Sequence, residues 1–147
     1  MGCVELIIFV GLQASGKSTF YHANLAATHV HVSKDLMPNA RNKDAKQTEL
    51  ISAALAGGRS VVVDNTSPTP FERAPLIALA RRFGARASAY FFEAAVKDAV
   101  ARNRLREGKA RVPDVAILMT ARKIVPPSLE EGFDEVRVIA PIPVTGP

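Results

Sequence analysis

The run LIIFV, residues 6–10, has no polar position on either side of an extended chain, so a strand built from it must be covered on both faces. Strands of that kind belong to parallel sheets, whose neighbours are joined by crossover helices. Four further segments read as strands: His29–Val32, Ser60–Val63, Ala87–Phe92 and Val136–Ile139. Between them the spacing predicts helices over Lys17–Ala27, Gln47–Ala56, Pro70–Phe83, Val96–Arg106 and Pro113–Lys123. Gly57-Gly58 and Gly84 are helix stops, and proline stands first in the last helix. Pro75 can open a helix but kinks one already begun, so it leaves the first turn of the third helix open. The expected fold class is α/β, a parallel sheet of about five strands with helices on both faces. A chain of 147 residues without repeat or linker reads as one domain, 1–147, with a Pro-rich tail over 141–147.

The first strand runs directly into GLQASGKST, residues 11–19. Gly11 to Ser18 matches G-x-x-x-x-G-K-[ST] in full, between a strand and a helix as that pattern requires. Small residues let successive backbone N–H groups point inward, forming an anion nest capped by a helix N-terminus. Gly11, Ala14, Ser15, Gly16, Lys17, Ser18 and Thr19 are therefore expected to hold the phosphates of a nucleoside triphosphate. Lys17 reaches the β- and γ-phosphates, and Ser18 offers its hydroxyl to Mg²⁺. The sheet is thereby expected to be of P-loop NTPase type. Asp64 ends the third strand, where a second acid for the metal belongs, and is followed by Asn65 and Thr66. Ligands of such sheets bind beyond the carboxyl ends of the strands, and Asp35, shortly after strand two, falls there as well.

A phosphate cradle alone does not separate a switch from a phosphotransferase. A kinase also needs a base for the acceptor hydroxyl and cations that accompany the phosphoryl group. Asp35, in HVSKD, lies where the base would sit; an ordinary carboxylate suffices, because the hydroxyl loses its proton late. RNRLREGK, residues 102–109, supplies cations: on a helix Arg102 and Arg106 point together and Arg104 turns away. Gly108 and Pro113 bracket a segment that could move as a lid, about residues 102–124.

Charge points the same way. The chain carries +5, and residues 81–111 hold nine basic residues against three acidic ones, a local basic surface able to attract polyanions. No apolar run approaches the ~18 residues that cross a membrane, and Leu6 spoils the lipidation pattern that Gly2 begins. A single cysteine, Cys3, excludes an internal disulfide, so the expected setting is the cytoplasm. His22, His29 and His31 lack metal-site spacing and read as packed or capping, and Tyr21 and Tyr90 as buried.

Four stretches, GLQASGKSTF, VHVSKD, GRSVVVDNTSP and RNRLREGKARVP, resemble in order and spacing the 5′-hydroxyl polynucleotide kinases. PPSLEEGFDEV near the end is similar to the mammalian kinase domain of that family in particular, and the likeness covers about residues 4–140. The resemblance implies an ATP- and Mg²⁺-dependent transfer of the γ-phosphate to the 5′-OH of DNA or RNA. By it, Asp35 is the general base, and Asp64, with Thr66, positions the acceptor near the metal. Arg106, supported by Arg102, matches the lid arginine on the transferring phosphate. The phage enzyme has an arginine three residues after its base, where this chain has Pro38; Arg41 is the candidate substitute, from a different position. Two other functions stay open: a small-molecule kinase acting on a sugar, nucleoside or antibiotic, and a nucleotide-dependent switch.

Overall fold

In the computed structural model, which describes residues 4–140, strands and helices alternate along the chain. Their order is β1 (Glu5–Gly11), α1 (Lys17–Asn24), β2 (His29–Val32), α2 (Lys43–Ala56), β3 (Ser60–Val63) and α3 (Pro70–Arg82). Then follow β4 (Arg86–Phe92), α4 (Val96–Arg104), α5 (Asp114–Lys123) and β5 (Glu135–Ile139). Cys3 and the tail expected over 141–147 lie outside the described residues.

The strands form one parallel sheet in the order β2-β3-β1-β4-β5. As the apolar run requires, Leu6 to Val10 are wholly buried at its centre. Leu6, Ile8 and Val10 pack with Ile51 and Leu55 of α2 and Leu76 and Ile77 of α3. Ile7 and Phe9 face the other way, onto Tyr21 and Phe20 of α1, and Phe9 meets Phe92 edge to face at 4.7 Å. Since α1 leaves β1 on one face and α3 leaves β3 on the other, the chain changes direction between these adjacent strands. The crevice at their carboxyl ends is the place such sheets bind ligands.

Several helix ends differ from expectation, each for a local reason. α1 stops at Asn24 because the N–H groups of Leu25 and Ala26 both turn back to the Tyr21 carbonyl. α2 begins at Lys43, four residues early, because the Asn42 side chain accepts the Ala45 N–H at 3.0 Å. Thr69 caps α3 at Pro70, and Pro75 is accommodated inside that helix. Pro113 occupies the cap of α5 rather than its first helical position. α4 ends at Arg104, so Arg102 and Arg106 do not share a helical face; Arg106 lies past the helix, on a turn closed by its N–H to the Asn103 carbonyl.

Part of the basic surplus of residues 81–111 is paired with acids. Arg81 pairs with Asp134, just before β5, and Arg86 with Glu135, its first residue, while Arg104 pairs with Asp114 on α5. These acids lie outside the run, so counting along it does not reveal the pairing. Among the described residues no helix is long and apolar enough to cross a membrane.

Candidate active site

β1 ends on Gly11, where a Cβ would meet the Phe92 Cβ and the Ser15 hydroxyl at 3.0 Å, so a larger residue cannot make this turn unchanged. The loop then passes through two left-handed residues, Ala14 (φ 61°) and Gly16 (φ 96°), a geometry that aims backbone N–H groups into a common hollow. Gly16 has no side chain with which to cap α1, so the first amides of that helix are left for an outside acceptor. Ser15 and Lys17 are buried, Ser18 and Thr19 exposed.

Lys17 is curled onto its own loop. Its ammonium donates to the carbonyls of Leu12 (2.6 Å) and Gly11 (3.1 Å) and lies 3.4 Å from the Ser15 hydroxyl. Burial pushes its pKa down to about 8; the charges of Asp64 and Asp35 oppose that fall and the charge of Arg106 adds to it. Three side chains from three other segments therefore act on this one ammonium.

Asp64 continues the sheet by one residue, donating its N–H to the Val32 carbonyl at 2.8 Å. The alternation of β3 turns its carboxylate toward α1, where Oδ2 accepts from Ser18 Oγ (2.7 Å) and meets His31 Nε2 (2.8 Å). Burial raises the Asp64 pKa, but those two hydrogen bonds and the Lys17 charge outweigh it and hold the carboxyl below its usual range. It does not cap its own turn through Thr66 or Ser67. Thr66 instead accepts the Gly11 N–H with its carbonyl, tying the loop after β3 to the end of β1.

Asp35 stands exposed on a single 3₁₀ turn, Lys34–Leu36, which Ser33 caps by accepting the Asp35 N–H at 3.2 Å. That turn is moored by Asn65, which accepts the Lys34 N–H (3.0 Å) and donates to Gln47 of α2 (2.7 Å). Arg102 donates to the Ala14 carbonyl at 3.1 Å, so α4 bears on the phosphate loop. Arg106 donates to the Ala110 carbonyl at 3.2 Å and is half-buried. The buried Asn103 pairs with both main-chain groups of Val112, at 2.6 and 3.0 Å, closing the loop that carries Arg106. Gln13 joins the phosphate loop to α5 through Thr120 at 3.0 Å.

Of the residues singled out in the sequence, Lys17, Ser18, Asp64, Asp35, Arg102 and Arg106 are brought together. Arg41 is exposed ahead of α2 and makes no hydrogen bond or ion pair with them among the described residues. Sequence reasoning missed His31, Asn65 and Asn103. Only Asn103, a polar residue between two arginines on a helix, left a local trace. For a metal, the donors are hard oxygens: one hydroxyl and one carboxylate on a shared contact. Among the described residues no three His, Cys, Asp or Glu side chains cluster, so a cation here would lean on those two and on an incoming ligand's oxygens. That donor set fits Mg²⁺, which keeps few protein ligands.

The AAA domain family model matches residues 6–127. The bifunctional polynucleotide phosphatase/kinase of Schizosaccharomyces pombe is 26% identical over 139 residues, covering 92% of this chain and 33% of that protein. The chain thus spans about a third of the length of the curated relatives it matches. Among solved structures, a fungal RNA kinase superposes with a TM-score of 0.68, at 16% identity over 94% of this chain and 38% of that one. A gluconokinase from Sinorhizobium meliloti 1021 superposes with a TM-score of 0.67, at 18% identity over 95% of this chain and 84% of that one. At these identities the structural likeness is one of fold.

Proposed function

We propose, from the premise that this chain belongs to the AAA domain family, that it is an ATP-dependent kinase moving the γ-phosphate to the 5′-hydroxyl of DNA or RNA. The observation that carries the reading is geometric: Ser18 meets Asp64 at 2.7 Å beside the loop that buries Lys17, Arg102 of α4 bears on that loop, and Asp35 and Arg106 lie near enough for their charges to act on the same ammonium. A switch that only hydrolyses nucleotide has no use for Asp35, an exposed carboxylate carried on its own moored turn. The phosphatase/kinase relative, which matches over 92% of this chain, supports a nucleic acid end as acceptor.

In this mechanism Ala14, Gly16 and Thr19 present backbone amides to the triphosphate of ATP, while Gly11 and Ser15, whose N–H groups are held by the Thr66 and Leu12 carbonyls, shape the loop around it. Lys17 exchanges the Gly11 and Leu12 carbonyls for phosphate oxygens and, as the cationic form, neutralises them. Ser18 and Asp64 would hold Mg²⁺, which when bound offsets the charge of the β- and γ-phosphates. Asp35 orients the acceptor hydroxyl and takes its proton as the new O–P bond forms and the γ-phosphorus parts from ADP. Arg106 follows the phosphoryl group, and Arg102 keeps the loop carbonyl of Ala14 turned away from it. Thr66 and Arg41 lie on the acceptor side. Residues 102–124 form the lid of a single kinase unit working in a reducing cytoplasm.

A second reading, a small-molecule kinase, draws on Pro38, which stands where an arginine would grip the acceptor strand. Labelled ATP offered with 5′-OH oligonucleotides and with sugars and nucleosides decides between them. Labelled strands are expected, and Asp35→Ala is expected to end labelling while ATP still binds. A labelled metabolite with unlabelled strands overturns the nucleic acid acceptor, slow ATP hydrolysis with no labelled acceptor overturns the kinase, and near-normal transfer by Asp35→Ala overturns the base.

A further inference from the structure

His31 stands on an edge strand of the sheet, opposite Val62 in the register of β2 and β3. Val62 faces α1, and the residue two further on, Asp64, shares that face. His31 therefore lies diagonally beside Asp64, and its Nε2 meets the same carboxylate oxygen, Oδ2, that accepts the Ser18 hydroxyl. The contact is shielded: the His31 side chain is 15% exposed and that of Asp64 4%.

The imidazole is itself held. The Tyr21 ring lies flat against it, with centroids 4.1 Å apart and planes 17° off parallel, and His22 abuts both rings edge-on. Tyr21 is buried and its hydroxyl donates to the His29 carbonyl, so the stack is fastened at both ends. Tyr21 belongs to α1, the helix that carries Lys17 and Ser18. A line of contact therefore runs from α1 through Tyr21 and His31 to Asp64 and back to α1 at Ser18. A carboxylate so tied cannot rotate freely: Oδ2 is taken by two donors, while Oδ1 accepts no hydrogen bond among the described residues.

We infer that His31, braced by Tyr21, is a positioning residue that fixes the Asp64 carboxylate so that Asp64 and Ser18 together receive the nucleotide's Mg²⁺. The inference rests on the reading of Ser18 and Asp64 as the metal-binding pair. His31 acts through hydrogen-bond geometry: partners behind a ligand carboxylate set its orientation, and losing one typically costs about 10–100-fold in metal affinity or activity.

The test is equilibrium binding of ADP and of a non-hydrolysable ATP analogue, each with Mg²⁺ and with EDTA. The wild-type chain is compared with His31→Leu, which keeps bulk but loses the donor, and His31→Gln, whose amide nitrogen can reach the position of Nε2. Mg²⁺ is expected to tighten wild-type binding. His31→Leu is expected to lose about tenfold of that gain and nothing in EDTA, and His31→Gln to restore most of it. Tyr21→Leu, which removes the brace alone, is expected to lose a smaller part and serves where His31→Leu does not fold. A merely structural His31 would lower the melting temperature and shift both binding conditions alike. Unchanged Mg²⁺ gain in His31→Leu, or in Tyr21→Leu where the former is not folded, overturns the inference, as does His31→Gln failing as badly as His31→Leu. A wild type that labels no acceptor yet loses its Mg²⁺ gain with His31 overturns the kinase reading and leaves the inference standing. A wild type that gains nothing from Mg²⁺ overturns the inference itself.

Discussion

Among the described residues two cations are buried, and they are buried differently. Arg73 of α3 has no exposed surface; its guanidinium grips Glu131 through two hydrogen bonds, at 2.8 and 2.9 Å, and the Ser67 carbonyl through a third. Lys17, 8% exposed, has only neutral oxygens for partners, and its pKa falls to about 8. A buried charge is tolerated when it is paired and costly when it is not. The first arrangement is complete and holds the chain together. The second lacks an anion, and the hollow of backbone N–H groups beside it is built to receive one.

The contrast can be broken most forcefully at the complete pair. Glu131→Ala leaves Arg73 buried without its carboxylate and is expected to destabilise the fold by about 3–5 kcal/mol, read as a shifted urea midpoint. Replacing both partners, Arg73→Met with Glu131→Leu, is expected to recover most of that loss, because the desolvation of two charges is avoided. If the single and double variants are equally unstable, the pair is not what makes Glu131 matter.

Lys17→Met is expected to do the reverse. Transfer should fall by about 10²–10³-fold, as when one donor to a developing charge is removed. Stability should hold or rise, since an uncompensated ammonium has been taken out of the interior. A Lys17→Met chain that melts well below the wild type would mean that the lysine is a structural tie like Arg73.

The two cations also differ in how far the sequence betrays them. Lys17 belongs to eight consecutive residues whose spacing is dictated by one local job, so the loop, its strand and its helix are legible without a structure. The sheet is legible for a similar reason, because LIIFV can only be a strand covered twice. Arg73 and Glu131 are 58 residues apart and His31 and Asp64 are 33, and no local pattern joins either pair. The pairing of Arg102 with Arg106 on one face failed on tertiary grounds as well. α4 is ended by Asn103 folding its side chain back to Val112, a contact that helical spacing cannot reveal. The acceptor side was legible only as far as Asp35; its mooring by Asn65 and Gln47 again joins distant segments.

The smallest effect is expected at Asp134, whose partner Arg81 lies on the same helix as Arg73 but where the charge pair is exposed. Its carboxylate accepts from Arg81 at 2.8 Å and from the Ala87 N–H at 2.9 Å, and the Arg81 hydrogen bond, followed by that of Ala87, pulls its pKa below the usual value of 3.8. A carboxyl whose folded pKa is depressed contributes stability above its unfolded value and loses it as pH falls through the folded one. Asp134→Asn is therefore expected to cost roughly 1 kcal/mol at pH 7, modest because solvent screens the Arg81 pair. The gap between variant and wild type should narrow as pH drops below 3.8 and close once the wild-type carboxyl is protonated. Urea midpoints for both chains at pH 7 and through that acid window measure it. A gap that stays constant into acid would mean that the Asp134 contact stabilises through packing, not charge, and would put it with neither cation.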